Sequence, residues 1–456
     1  MNPRVFREYD IRGNAERDLD TAFVTDLGRA LGTHFGRAGA RRIALGRDCR
    51  LHSPRLHAAL LHGLRETGLA VIDVGVVATP LLYFAVFHLD VDGGVQITGS
   101  HNPPEDNGFK IVKGKSTIHG GEIQELKRLL ERRDFLHAAT PGPLTEERIE
   151  RAYIDHARRS LRLGPRRFPV VVDAGNGAGG VIGAPLLREL GFEVTELFCD
   201  MDGRFPNHHP DPTVEENMAA LREAVARRGA EVGIAFDGDA DRIGVVDARG
   251  RIVWGDQLML LFARAILAEH PGATFVSEVK CSQVLYDEIA RAGGRALMWK
   301  VGHSLIKSKM KEEGALLAGE MSGHIFFAHR YLGFDDAIYA AARLCELLSQ
   351  SGETLAERID ALPRVYNTPE IRLDCPDDLK FELVRRAGVH FGRTRPVIDI
   401  DGARIQFDDG WALVRASNTQ PVLVLRFEAR SPERLAAIRQ QVEQELEYIR
   451  KEMMAP

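Results

Sequence analysis

The chain has 456 residues, 44% of them hydrophobic and 27% charged, and a formal net charge of -5. That length exceeds what one hydrophobic core fills, so about three domains are expected. The weak acidic balance excludes a general attraction to nucleic acid, so any anionic ligand must be held by local groups.

The opening MNPRVFREYDIRG is charged and lacks the apolar segment of a signal peptide, and no later run is long enough for a membrane span. Cys49, Cys199, Cys281, Cys345 and Cys375 are scattered and free of CxxC pairing. A cytoplasmic protein with reduced thiols and no membrane partner is expected.

Along the chain, strand-like runs alternate with helical ones, the pattern of α/β layers with largely parallel sheets. RIALGRD (42–48) precedes the amphipathic LHAALLHGLRETG, and AVIDVG and GGVQITG follow as strands. A comparable unit runs from PVVVDAGNGAGG (169–180) through APLLRELG and FEVTELF to EVGIAFDGDADR (231–242). A third begins near Gly255, passes through TFVSEV and ALMWKVGHS, and ends in a helix around DDAIYAAARLCELLSQ. After Pro363 the residues alternate through RIQFDDGWALVRASNTQPVLVLRFEA and end in one long charged helix, which predicts an antiparallel sheet with a helix packed on it. Linker candidates are residues 139–144, the stretch after Asp247, and LPRVYNTP; no repeat of identical residues is visible.

Four motifs carry chemistry. In TGSHNP (98–103), Ser100 stands between Gly99 and His101 at the mouth of a proline turn that solvent can reach, where a hydroxyl either caps the turn or reacts. DGDADR spaces Asp237, Asp239 and Asp241 alternately after an apolar run. They share a face on a continuing strand or converge on a tight loop, and carboxylates that close need a cation; an all-oxygen set favours a hard one such as magnesium. Arg242 adds a second positive charge nearby. An EF-hand fails, because Arg242 and Ala248 stand where its glycine and bidentate glutamate belong. A solvated acidic turn is the plain alternative.

GEMSGH (319–324) places Glu320 and Ser322 between glycines, either as an ordinary turn or as a grip on neighbouring sugar hydroxyls. RASNTQP (415–421) offers Arg415, Ser417, Asn418 and Thr419 to a tetrahedral oxyanion, although such residues also favour loops for local reasons. GNGAGG fits a dinucleotide fingerprint at Gly175, Gly177 and Gly180 and supports a rival NAD-dependent oxidoreductase, but leaves Ser100 and the aspartates without a role. Ser100 also lacks the second glycine of G-x-S-x-G, and no GxxxxGK loop is present.

Taken together, FREYDIRG, TGSHNPPEDNGFK, FPNHHPDP, DGDADR, VKCSQVL, VGHSLIK, GEMSGH and RASNTQP resemble, over essentially the whole chain and in order, the α-D-phosphohexomutase family, phosphomannomutase/phosphoglucomutase branch. The resemblance implies three similar α/β domains with mixed, largely parallel sheets plus a smaller α+β C-terminal domain around a central cleft. With the linker candidates, that divides the chain at 1–146, 147–250, 251–363 and 364–456.

It further implies that Ser100 carries a phosphoryl group. Magnesium would be held by Asp237, Asp239, Asp241 and an oxygen on Ser100. Phosphate would move between C1 and C6 of mannose or glucose through a hexose 1,6-bisphosphate, with glucose 1,6-bisphosphate as activator. Glu320 and Ser322 would hold O3 and O4, which exchange roles when the sugar turns over, leaving C2 unread. Arg415, Ser417, Asn418 and Thr419 match the family's site for the non-reacting phosphate. Tyr9, Arg12, Lys110, Lys280, His303 and His324 match cleft positions, with Lys110 and His324 as acid or base and Arg12 in an electrostatic role.

His208 and His209 match a loop without a ligand role. Met321 resembles the mannose/glucose branch, where the glucosamine branch usually has glutamine, so phosphoglucosamine mutase is the near alternative; a catalytically silent sugar-phosphate binder is another. Because Ser100 and the phosphate loop lie in the first and last domains, cleft closure is expected. A monomer or small homo-oligomer fits the remaining expectations.

Overall fold

In the computed structural model, which describes residues 1–417 and 421–454, the chain forms four sheets in sequence order. The first three share one plan: strands are parallel at the centre and antiparallel along one edge. In the first sheet Arg42–Arg47 lies parallel between Ala70–Val76 and Gly93–Ile97, and Asp106–Lys113 then runs antiparallel along Gly93–Ile97. In the second, Val232–Phe236 is parallel to Pro169–Asp173 and antiparallel to Ile243–Asp247. In the third, Thr274–Glu278 is parallel to Leu317–Gly319, which pairs antiparallel with Ile325–Phe327. The sheets are therefore mixed, with the antiparallel pairing confined to one side and the parallel pairing running to the opposite edge.

This plan sets where function can lie. The turn from the last parallel strand into the antiparallel edge carries TGSHNP in the first sheet, DGDADR in the second and GEMSGH in the third. In the fourth sheet, which is antiparallel throughout, Gly410–Ala416 pairs with Val422–Ala429, and Arg415 of RASNTQP lies at the end of the first of these strands. The repeat invisible as residue identity is present as topology.

Two helices cover the fourth sheet, Asp377–Gly392 as well as Pro432–Met454. The first went unrecognised in sequence because its apolar residues, Leu383, Val384, Ala387 and Phe391, are interrupted by charged ones and follow no long apolar run. The stretch after Asp247, expected as a linker, is a hairpin: Ile252–Val253 returns along Ile243–Asp247 within the second sheet. Of the linker at 139–144, Leu144 already belongs to the edge strand Leu144–Glu146 beside Ala70–Val76.

Helix Ala337–Ser349 is buried along its whole length. It packs between the second and third sheets in a core that also takes in helix Thr79–His88 of the first, with the charged Arg343 and Glu346 buried alongside its apolar residues. Its N-cap Asp336 accepts from the Tyr339 backbone N–H at 2.8 Å and from the hydroxyls of Tyr153 and Tyr331 at 2.9 and 2.7 Å. Burial pushes this carboxyl up to about 6. The first sheet and the C-terminal sheet have cores of their own. Among the described residues no helix is long and apolar enough to cross a membrane.

Candidate active site

Ser100 follows strand Gly93–Ile97 in a left-handed conformation, φ 49°, unusual for a residue with a side chain. It is 1% exposed, so the hydroxyl is not at an open turn mouth as its sequence suggested. The aspartate loop covers it: Oγ donates to Asp237 Oδ2 at 2.7 Å, and a Cβ on Gly238 would stand 2.5 Å from the Ser100 carbonyl oxygen. His101 Nδ1 lies 3.1 Å from the same Oγ. Arg50 holds the strained turn from behind, its two terminal nitrogens donating to the carbonyls of Ser100, Asn102, Pro103 and Asp106 at 2.5 to 2.9 Å.

Asp237, Asp239 and Asp241 converge on a loop rather than share a strand face, with Ala240 left-handed between them at φ 58°. Asp237 Oδ1 accepts from the backbone N–H groups of Asp241 and Arg242 at 3.1 and 3.2 Å. Lys110, on the edge strand Asp106–Lys113, lies between the other two, 2.7 Å from Asp239 Oδ2 and in contact with Asp241 Oδ2. Thr79 Oγ1 donates to Asp239 Oδ2 at 2.5 Å.

Burial lowers Lys110, but Asp239 and Asp241 outweigh it and hold the ammonium above the usual lysine range. Burial pushes Asp239 up, but Lys110 and Thr79 bring it below the usual carboxylate range. Asp237 is pushed well above that range by burial and by its two neighbours. Asp239 Oδ1 and Asp241 Oδ1 are buried without a hydrogen-bond partner. Uncompensated charge, orphaned oxygens and an all-oxygen donor set fit a hard divalent cation.

Around this centre, Arg12 Nε donates to Asp10 Oδ2 at 2.6 Å and its Nη1 to Asn102 Oδ1 at 3.0 Å. Arg242 Nε donates to His324 Nε2 at 3.0 Å. In neutral His324 that leaves the ring proton on Nδ1, which faces Asp335 Oδ2 at 3.4 Å and Asp241 Oδ1 at 3.7 Å. His303, the first residue of its helix, stacks on His324 with ring centres 5.6 Å apart and faces the same Asp335 oxygen at 3.4 Å.

The third and fourth sheets supply a second group. Glu320 Oε1 accepts from the Gly302 N–H at 2.7 Å, and its other oxygen lies 3.9 Å from His324 Nε2, joining the two groups. Ser322 is half-buried on the same loop. Lys280 pairs with Glu370 at 3.2 Å. Arg415 is nearly buried and its Nε donates to Asp401 Oδ2 at 2.7 Å; the Ser417 carbonyl accepts from Lys380 Nζ at 2.6 Å. Asn418 and Thr419 lie outside the described residues. Tyr9 donates its hydroxyl to the Val301 carbonyl at 2.7 Å, bridging first and third domains.

The glycine fingerprint is used internally. A Cβ on Gly177 would stand 2.6 Å from the Gly238 oxygen and one on Gly180 2.5 Å from the Cys199 oxygen, so these glycines admit the chain's own backbone rather than a pyrophosphate. His208 pairs with Asp173 at 3.0 Å and His209 Nε2 is 2.6 Å from the His101 carbonyl. Sequence reasoning passed over Arg50, Asp335, Lys307 and Asp401. Lys307, half-buried and 2.8 Å from Asp335 Oδ1, stands in an ordinary helical sequence, and only Asp335, in GFDD, had a signal in its doubled acid.

Family models cover most of the chain: phosphoglucomutase/phosphomannomutase alpha/beta/alpha domain I matches residues 3–137, domain II 151–250, domain III 254–366 and the C-terminal domain 370–445. The chain belongs to the phosphoglucomutase/phosphomannomutase family. A phosphoglucomutase of Neisseria gonorrhoeae is 47% identical over 93% of each chain. A phosphomannomutase/phosphoglucomutase of Pseudomonas putida is 45% identical over 99% of this chain and 97% of its own. The crystal structure of a phosphoglucomutase/phosphomannomutase family protein from Burkholderia thailandensis matches with a TM-score of 0.92 at 40% identity over 98% of both chains. The chain is accordingly an enzyme, a hexose-phosphate mutase, of a metal-dependent family, and the acidic cluster is where a metal could sit.

Proposed function

We propose that this mutase interconverts the 1- and 6-phosphates of mannose and glucose through phospho-Ser100 and a hexose 1,6-bisphosphate. The observation that carries the reading is the Ser100 hydroxyl 2.7 Å from Asp237 Oδ2 within a buried triplet of carboxylates. Phosphoryl transfer needs positioning and charge neutralisation more than covalent assistance. Asp237, Asp239 and Asp241 would hold magnesium, together with an oxygen on Ser100; when bound, the ion neutralises charge on the transferring group.

The chain's own residues do the rest. The Oγ–P bond of phospho-Ser100 breaks as the free sugar hydroxyl forms its bond to phosphorus, and the hydroxyl proton passes to a base. Lys110, held as a cation, serves as electrostatic partner and proton donor rather than as that base, and Arg12 adds charge. His324 takes the acceptor role once its Nε2, which accepts from Arg242 Nε at 3.0 Å, is released from that bond. When phosphate returns, the Ser100 proton leaves Oγ with Asp237 Oδ2 and His101 Nδ1 both in reach. Closure of the C-terminal domain over the sugar excludes water from phosphoserine.

Glu320 and Ser322 would grip O3 and O4, with Tyr9, Lys280 and His303 lining the sugar's path, while Arg415, Ser417, Asn418 and Thr419 take the non-reacting phosphate. Glucose 1,6-bisphosphate would restore enzyme that has lost its phosphate. The unpaired state of all five cysteines supports a cytoplasmic site of action.

A side-by-side assay of mannose 1-phosphate, glucose 1-phosphate and glucosamine 1-phosphate with magnesium and trace bisphosphate tests the reading. Turnover of both neutral sugars is expected. Turnover of the amino sugar alone would replace the substrate assignment with a phosphoglucosamine mutase; binding without turnover would sink the mechanism.

A further inference from the structure

One peptide joins parts of the site that sequence keeps far apart. Between strand Arg295–Trp299 and helix His303–Glu313, Val301 donates its N–H to Asp401 Oδ2 at 3.0 Å and accepts from the Tyr9 hydroxyl at 2.7 Å. The next N–H, of Gly302, donates to Glu320 Oε1 at 2.7 Å. Gly302 sits at φ 130°, and a Cβ there would come 2.5 Å from the Tyr9 ring, so the close approach requires glycine. The same Asp401 oxygen accepts from Arg415 Nε at 2.7 Å. Asp401 stands just before Gly402, whose left-handed turn, φ 92°, lets that loop close against Val414 and Arg415.

We infer that Asp401 is a positioning residue of the phosphate loop. It orients Arg415 and, through the Val301–Gly302 peptide, ties that orientation to Tyr9 of the first domain and Glu320 of the sugar loop. The inference rests on the proposed phosphate-binding role of Arg415. The carboxylate engages Nε, leaving the guanidinium's two terminal amino groups as the edge suited to a tetrahedral oxyanion. Its second partner on the same oxygen is a backbone donor from another domain, so Arg415 is held in its working orientation only while the fourth domain is seated on the third. Tyr9 extends that condition to the first.

The test compares kcat and KM for glucose 1-phosphate, with magnesium and glucose 1,6-bisphosphate, in wild type, Asp401→Asn, Asp401→Ala, Tyr9→Phe, Arg415→Ala and the Asp401→Ala/Tyr9→Phe double variant, each with its thermal midpoint. Asp401→Ala should raise KM roughly tenfold or more with a smaller change in kcat, and Asp401→Asn, which keeps an acceptor for the Val301 N–H, should fall between it and wild type. The double variant should show less than the product of the single effects, because both substitutions release the same peptide. If Asp401→Ala does not fold, isosteric Asp401→Asn carries the test with a KM raised roughly fivefold.

A KM within about twofold of wild type in a folded Asp401 variant would overturn the inference, as would fully independent effects of Asp401 and Tyr9. If Arg415→Ala raises KM and the Asp401 variants do not, the inference alone falls. If Arg415→Ala leaves KM unchanged, the phosphate-loop reading falls with it.

Discussion

Arg50 donates from Nη2 to the carbonyl of Ser100 at 2.7 Å, from a guanidinium wholly buried behind the loop. Ser100 is one of the few non-glycine residues with positive φ, a conformation that persists only where surroundings over-determine it. Arg50 supplies that constraint. Arg50→Lys, whose single ammonium cannot reproduce a planar fork on four carbonyls, should lower kcat by roughly tenfold or more while KM stays near wild type. Steady-state kinetics on protein with a normal thermal midpoint checks it; equal rises in KM would point instead to a disturbed sugar site.

Ser100→Ala should cut turnover by orders of magnitude and leave hexose phosphate binding largely intact. Calorimetry of glucose 6-phosphate binding beside the activity assay separates the two. Near-normal turnover would remove phosphoserine from the mechanism.

Lys110 is the cation between Asp239 and Asp241. Removing one partner of a buried ion pair leaves charge uncompensated, at a cost of roughly 3–5 kcal/mol. Lys110→Met should lose about that much stability in the presence of a chelator, and magnesium should return more of it than it adds to wild type. Urea unfolding with and without the ion measures both; an ion response no larger than that of wild type would place the cation elsewhere.

His208 gives a pH dependence. Burial alone would lower it, but the hydrogen bond and charge of Asp173 outweigh burial, so its folded pKa lies above the ordinary value. A raised folded value means the contribution to stability is complete below the unfolded pKa of about 6.5 and is lost as pH rises through the folded one. The urea midpoint of wild type should therefore exceed that of His208→Asn most at mildly acid pH, and the gap should shrink as pH rises above neutrality. A gap that widened with pH would refute the pairing.

Much of the site was legible because its motifs are turns, and turn chemistry is local. Ser100, the three aspartates and Glu320 stand out through flanking glycines and a preceding apolar run. Arg50 and Asp401 act through distance: each meets its partners only after two elements pack, and a lone arginine or aspartate has no periodic signal. The same reason hid the helix Asp377–Gly392 and the recurrence of one hairpin plan across sheets, a likeness of backbone path rather than of residues. The burial of Ser100 also escaped notice, since its cover comes from a loop more than a hundred residues later.

Helix Ala337–Ser349 decides where the polypeptide can be severed. A cut anywhere between the second and third sheets strips one side of a wholly buried helix and should yield an insoluble fragment. A cut just after Pro363, ahead of strand Tyr366–Asn367 of the fourth sheet, meets a different seam, where Arg404 and Arg426 reach across to the carbonyls of Val279, Cys281 and Lys280. The C-terminal piece keeps its own apolar interior, so the divisible unit is this last domain, and the phosphate loop is the part of the enzyme that could be exchanged as a module.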